Sequence, residues 1–271
     1  MIYFGINGRL IGVKCPSVQR VDDGERYHFV TTLEGKRKAQ VVPGARRRVW
    51  DLVLGDVTTP GQVSVLRDIA AGAWGDGPFW FVPAEGPDSN VLEPGVVSCD
   101  PVAGLSSNNS PAGPLRVDGR WFGRSLQNDS APGHIHFGGS GGGLSPAPEA
   151  GSLVTASAFV EGAGAGAQVA FWDAAGGFHS AVSSSVTASA GQAVRSHVTT
   201  SVPSGAVWVS VRAVNAVRAA GPCLSWSGEL LPFSDGRGAS KAVVDQVSSD
   251  LVYTQPGRTY QNVSFTVTEV G

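Results

Sequence analysis

At 271 residues, with Gly 37, Pro 17 and only 15% charged residues, the chain can bury a sizeable core and is composed for short strands and tight turns rather than long helices. A formal net charge of −2, shared evenly along the sequence, leaves no electrostatic footprint for nucleic acid. No apolar run approaches a membrane span, no basic and apolar leader opens the chain, and three widely spaced cysteines, Cys15, Cys99 and Cys223, fit neither a disulfide framework nor a zinc site. The expectation is a protein made in a cytosol, with reduced structural cysteines and no membrane insertion.

In chain order, Ile2–Gly12 reads as a hairpin around Asn7-Gly8. Tyr27–Leu33 is a strand candidate, Glu34-Gly35 a turn, and Arg47–Leu54 a strand on which Trp50, Leu52 and Leu54 share a core-directed face. The basic clusters Lys36-Arg37-Lys38 and Arg46-Arg47-Arg48 read as a solvated loop and a strand end, with a polar subunit interface as the alternative. Thr58-Thr59-Pro60 sets a Thr cap before a proline at the first helical position, and Val63, Leu66, Ile69, Ala70 and Ala73 then follow a helical stripe that Gly72 breaks. Gly75-Asp-Gly-Pro78 turns the chain into the aromatic run Phe79–Val82. Three of the seven tryptophans lie between Ala45 and Pro83, so Trp50, Leu66, Trp74 and Trp80 are the expected core of a first domain.

Val97–Pro114, rich in Ser, Asn, Gly and Pro, reads as a linker and places a boundary there. Short strands at Gly119–Gly123 and His134–Phe137 precede a glycine-rich loop, Gly138–Gly143. Regular strands follow at Ser152–Val160, Gln168–Trp172, Phe178–Ser184, Ala193–Ser201, Val207–Ala213 and Cys223–Leu230, at the spacing of a sandwich or jelly roll. Val243–Val247, Leu251–Thr254 and Val263–Val270 alternate cleanly, and the last is expected to return to the first domain. The expected architecture is mainly β: a discontinuous domain, 1–100 with 236–271, and an antiparallel β-sandwich, 101–235, inserted into it.

The chemistry is sparse. His134 and His136, at i and i+2 on a strand, share a face and are weak metal candidates, because no third ligand stands at ligand spacing. There is no nucleophile elbow, P-loop, dinucleotide fingerprint or His-Glu-X-X-His, and Asp118, Asp129, Glu149, Glu161, Asp173 and Glu229 form no evident pair. No enzyme activity and no cofactor are expected. Sugar binding fits better, since aromatic faces stack on pyranose rings while amides, Arg and hydroxyls bond the rim. Strand alternation puts Trp208, Ser210 and Arg212 opposite Val207, Val209 and Val211, Gln168 and Trp172 opposite Val169 and Phe171, and Arg195, His197 and Thr199 opposite Val194 and Val198. On one concave sheet those polar faces would form a glycan platform. The competing reading has the tryptophans covering a sheet against the other domain or a neighbouring subunit.

The Arg-X-Trp strand, the Thr-Pro-started helix, the block Gly72–Pro83 and Asn90-Val-Leu-Glu-Pro94 together resemble the N-terminal domain of minor tail proteins of long-tailed actinobacterial phages (siphoviruses), which look like distal tail proteins. The likeness covers Arg46–Pro94, and the terminus Val263–Gly271 is similar to that family's closing strand. Val154–Val160, Val169–Asp173 and Ala206–Arg212 resemble jelly-roll carbohydrate-binding modules carried as insertions in such proteins. The resemblance implies a tail-tube-like split β-barrel with one α-helix and a virion structural protein of the tail tip or baseplate, assembled in the host cytoplasm. It implies a ring, a homohexamer, between tail tube and adsorption apparatus. The implied partners are copies of itself, the tail tube, other tail-tip proteins and, for the sandwich in host adsorption, cell-wall polysaccharide. A stand-alone sugar-binding or enzyme-accessory module of a bacterium is the alternative.

Overall fold

Among the described residues strands take 55% and helices 7%, so the glycine- and proline-punctuated sequence does fold as a mainly antiparallel β protein. The computed structural model describes all residues but 7, 24–26, 32, 33, 35, 42–46, 56–59, 76, 102–107, 118, 130–132, 139–142, 185–191, 257 and 271. Asn7 of the expected hairpin turn, Gly35, Arg46, the Thr58-Thr59 cap, Asp76, Asp118 and the centre of the glycine-rich loop therefore lie outside the described residues. The elements run β1 (Ile2–Ile6), β2 (Arg9–Val13), β3 (Val18–Asp23), β4 (Tyr27–Thr31), β5 (Arg37–Val41), β6 (Arg48–Leu54), α1 (Pro60–Ala70), β7 (Phe79–Val82) and α2 (Pro94–Val97). Next come β8 (Asn109–Ala112), β9 (Leu115–Val117), β10 (Arg120–Phe122), β11 (Ser125–Asn128), β12 (His134–His136), β13 (Ser145–Pro146), β14 (Leu153–Glu161), β15 (Gly166–Trp172), β16 (Phe178–Ser183) and β17 (Ala193–Ser201). β18 (Trp208–Val214), β19 (Arg218–Ser225), β20 (Ala239–Gln255) and β21 (Arg258–Glu269) complete the chain. By internal contacts it forms two units, Met1–Ile2 with Gly12–Phe81 and Ser240–Gly271, and Tyr3–Ile11 with Val82–Ala239.

In the first unit the strands lie in the order β7-β20-β21-β6-β3; among the described residues β4 pairs with β5 alone and no closed barrel forms. The alternation read from Arg47–Leu54 sets the register. Trp50, Leu52 and Leu54 face Val267, Phe265 and Val263 of β21, and all six are buried. Phe81 meets Trp50 edge-on at 5.0 Å. From α1, Val63, Leu66 and Ile69 enter the core, but Ala70, the last helical residue, and Ala73, beyond the helix end, are exposed. Gly72, at φ 74, closes it with the paired bonds Ala73 N–H to Asp68 O and Gly72 N–H to Ile69 O, the Schellman arrangement. Trp80 is buried whereas Trp74 is half-buried.

Three further features of this unit differ from expectation. Arg48 is no solvated strand end: it is buried and forks onto Glu269, Nε to Oε2 at 3.0 Å and an NH2 group to Oε1 at 3.1 Å. Arg37 and Lys38 open a strand rather than sit in a loop. The two separate strands expected in 243–254 are one long strand, β20, whose pairing with β21 shifts between Asp245 and Ser248, where Gln246 takes φ 53.

The second unit is a sandwich of sheets β17-β14-β19-β11-β8 and β12-β18-β15-β16, with β13 also paired to β18 and β9 to β10. Ala156, Ala158 and Val160 of β14, Val169 and Phe171 of β15, and Val209 and Val211 of β18 belong to one buried cluster. Small residues on β14 let the sheets approach closely. The expected boundary near residue 100 is corrected by the same cluster, because Val82, Val91, Leu92, Val96, Val97 and Cys99 are buried in it. Asn90 fixes that segment: fully buried, it donates to Pro222 O (3.2 Å) and Ser234 O (3.0 Å) and accepts from the N–H groups of Leu92 (3.2 Å) and Leu224 (3.1 Å). α2, one turn long with a proline start, was not anticipated. β19 begins at Arg218 and ends at Ser225, earlier than expected, as Trp226 leaves the ladder to bond Pro87 O.

Candidate functional site

The sheet β12-β18-β15-β16 has one face in the core, made by Val169, Phe171, Val209 and Val211. Because side chains alternate along a strand, the residues between these point away from the core. Register then assembles them into rows. Trp208 of β18 stands opposite Trp172 of β15, which stands opposite Phe178 of β16 across a bulge. A second row runs His136, Arg212, Gln168 and Ser183 across all four strands, with Ser210 and Ala170 between the rows.

The aromatic row is held from both ends of its polar handles. Trp172 Nε1 donates to Ser210 Oγ at 3.0 Å, and its ring meets Phe178 edge-on at 5.6 Å. The Arg212 guanidinium lies over Trp172 at 4.7 Å and over Phe178 at 5.9 Å, so one cation caps two rings. Phe178 is 57% exposed, and Trp172 and Trp208 are half-buried. Gln168 is almost wholly buried; its Nε2 donates to Ser183 Oγ at 2.8 Å. Beside the row, Trp208 also lines a pocket of about 180 Å³, walled by Gly5, Gly8, Arg9 and Leu10 of the β1–β2 hairpin and by 146–150 and 206–207. Gly8, at φ 73, keeps that wall close: an added Cβ would stand 3.4 Å from Ala174 Cβ.

Of the residues singled out from the sequence, Trp172, Trp208, Gln168 and Arg212 thus share one face. Arg195 and His197 do not. They lie on β17 in the other sheet, opposite the buried Phe159 and Ser157 of β14, and so not on the face that carries Trp172. Arg195 is engaged there, bonding Ser157 Oγ at 3.0 Å and lying 5.7 Å from the Phe159 ring. The alternation pattern had sorted faces within each strand correctly, but it carries no information on which sheet a strand joins.

His134 and His136 join the face with Arg212, their rings 6.1 Å apart. Burial first, and the Arg212 charge second, hold both below the usual imidazole range, His136 down to about 4. Among the described residues no cluster of three His, Cys, Asp or Glu side chains is placed to hold a metal ion. The carboxylates of the region serve local structure: Asp173 accepts from the N–H groups of Ala175 and Gly177, Asp129 accepts from Ser110, and Glu161 stands 3.9 Å from Arg218. Cys99 and Cys223 are buried with their thiols raised by burial, Cys99 to about 12, whereas Cys15 is exposed; all three are free. Sequence reasoning missed Phe178, Ser183 and the N-terminal hairpin wall, whereas Ser210 stands on the Trp208–Arg212 face that alternation assigned it. Phe178 and Ser183 were legible in principle, as residues facing Trp172 and Gln168 in a β15–β16 hairpin.

No protein-family model matches the sequence, and no curated protein matches it. Among solved structures, the chain is similar to the enzymatically active domain of tailspike protein 4 of bacteriophage CBA120, at 12% identity and a TM-score of 0.36, over 52% of this chain and 22% of that one. It is similar to the CBM22-1–GH10 modules of a Clostridium thermocellum endo-1,4-beta-D-xylanase complexed with xylohexaose, at 14% identity and a TM-score of 0.28, over 47% and 28% of the two chains. A third likeness, to the VP2 subviral particle of infectious bursal disease virus, has 12% identity and a TM-score of 0.27 over 98% and 79%. The chain spans 22% and 28% of the first two proteins' lengths.

Proposed function

We propose that this chain is a structural protein of a phage tail tip whose sandwich presents a saccharide-binding face. The observation that carries the binding half is the row Trp208, Trp172 and Phe178 beside Arg212 and Gln168 on one sheet face. Aromatic rings supply flat apolar surface for pyranose faces, and the neighbouring guanidinium, amide and hydroxyls supply directional bonds to ring substituents. Host cell-wall polysaccharide is the ligand this reading assigns. The face acts by binding, with no catalytic step and no cofactor. The assembly half is supported by the resemblance over Arg46–Pro94 and by the first unit's make-up, an open antiparallel sheet with α1 and a long closing hairpin β20–β21. In that role the unit contacts copies of itself in a ring, the tail tube and other tail-tip proteins.

Two measurements test the halves separately. Light scattering on the purified chain is expected to show a closed oligomer, a hexamer being six times 27.9 kDa, and a monomer at every concentration, also with the adjoining tail proteins present, opposes the assembly half. Sedimentation with purified actinobacterial cell walls is expected to carry the wild type down and to leave Trp208→Ala in solution. Equal sedimentation of both, or of neither, opposes the binding half.

A further inference from the structure

Building on the saccharide reading of this face, we propose that the sugar it takes bears a carboxylate, as a uronic acid does, and that Arg212 receives that carboxylate. The case rests on what the protein leaves unpaired. Among the described residues the Arg212 side chain makes no ion pair and no hydrogen bond; its Nε is buried without a partner, and its guanidinium lies over the Trp172 and Phe178 rings. The adjacent Gln168, 8% exposed, has Nε2 engaged by Ser183 while Oε1 is buried and unpartnered. Folded proteins rarely leave buried polar atoms in this state, and the two mark a row in which the chain gives the Arg212 guanidinium no acceptor of its own.

Charge identifies the partner. The residues facing Arg212 in the ladder are His136 and Gln168, with His134 next along β12, and none is acidic. Asp173, which follows Trp172, is spent on its own turn. A half-buried guanidinium without a counter-charge is unfavourable, and an incoming anion removes that cost. The Trp172 ring, 4.7 Å from the guanidinium carbon, holds the cation in the row, and a guanidinium fork suits two parallel N–H···O bonds to a planar carboxylate. His134 and His136, held neutral by burial and by this same charge, present imidazole nitrogens that can bond sugar hydroxyls without adding a second cation. A uronate combines the required parts: an apolar ring face for the tryptophans, a carboxylate for Arg212 and hydroxyls for the rest of the row.

An array carrying neutral, uronate-bearing and phosphate-bearing glycans, probed with the full chain, tests this. Binding confined to uronate-bearing glycans is expected. Methyl esterification of the bound uronate, which keeps the sugar and removes the charge, is then expected to weaken it at least tenfold. Arg212→Gln is expected to abolish the distinction between acid and ester, and Arg212→Lys, which keeps the charge but not the fork, to fall between, with near-ultraviolet circular dichroism confirming that each variant retains its packing. Binding of neutral or phosphorylated glycans in preference to uronates, or equal binding of acid and ester, overturns the proposal while leaving the saccharide reading in place. Binding to no glycan class overturns both. The wild-type array decides the point even where a variant fails to fold.

Discussion

Replacing Asn90 by alanine should destabilise the sandwich by several kcal/mol, although the side chain touches nothing proposed to bind. Its amide makes four hydrogen bonds, two donated to the Pro222 and Ser234 carbonyls and two accepted from the Leu92 and Leu224 amides. Each such bond contributes about 1 kcal/mol net, and each buried group left without a partner costs about 1–3 kcal/mol. The two amides have no second option, whereas carbonyls tolerate a missing partner better, so a loss of about 4 kcal/mol is expected. Asn90→Asp sharpens the test. It keeps the acceptor but turns a carboxylate toward two carbonyl oxygens, and should cost at least as much as alanine at pH 7. Acid should relieve part of that extra cost, since a protonated carboxyl can donate once. Guanidinium denaturation followed by tryptophan fluorescence measures both. A loss below about 1 kcal/mol for alanine, or an aspartate variant as stable as wild type at neutral pH, would refute the view that this amide fastens the 82–99 segment to β19.

Other perturbations have equally definite outcomes. Arg48→Met strands the Glu269 carboxylate, whose side chain is 18% exposed, and should cost about 3–5 kcal/mol in denaturant, with Arg48→Met/Glu269→Leu recovering most of it. Gly236→Ala puts a methyl against the Leu92 and Glu93 backbone and should cost about 1–3 kcal/mol, read as a lowered thermal midpoint. His136, whose pKa falls from 6.5 to about 4 on folding, binds its proton more readily in the unfolded chain. Stability is therefore unaffected above pH 6.5 and falls as pH drops toward 4. The part due to this partly exposed ring is about 2 kcal/mol by pH 4.5, and His136→Gln should remove it from the pH profile.

The face patterns within strands were legible because alternation is a local property: Trp50, Leu52 and Leu54, and Trp172 with Gln168, fall as a two-residue period dictates. Sheet membership was not, because it depends on long-range pairing, which is why Arg195 and His197 emerged in a different sheet from Trp172. The boundary error has a similar origin. A polar stretch after Val97 looked like a linker, but the deciding contacts are made earlier, by Val91, Leu92 and the buried amide of Asn90, a residue type that composition assigns to loops. The buried Arg48 was hidden for the same reason, its partner Glu269 lying 221 residues away.

The central claim, that the outward face of β15 and β18 binds saccharide, is tested most directly by hydroxyl-radical footprinting of the full chain with and without polysaccharide solubilised from actinobacterial cell walls. Trp121, 65% exposed and in the separate β9–β10 hairpin, is the internal control. Protection of Trp172, Trp208 and Phe178 with unchanged labelling of Trp121 is the predicted result. Unchanged labelling of the three face residues, or protection of Trp121 in their place, would contradict it.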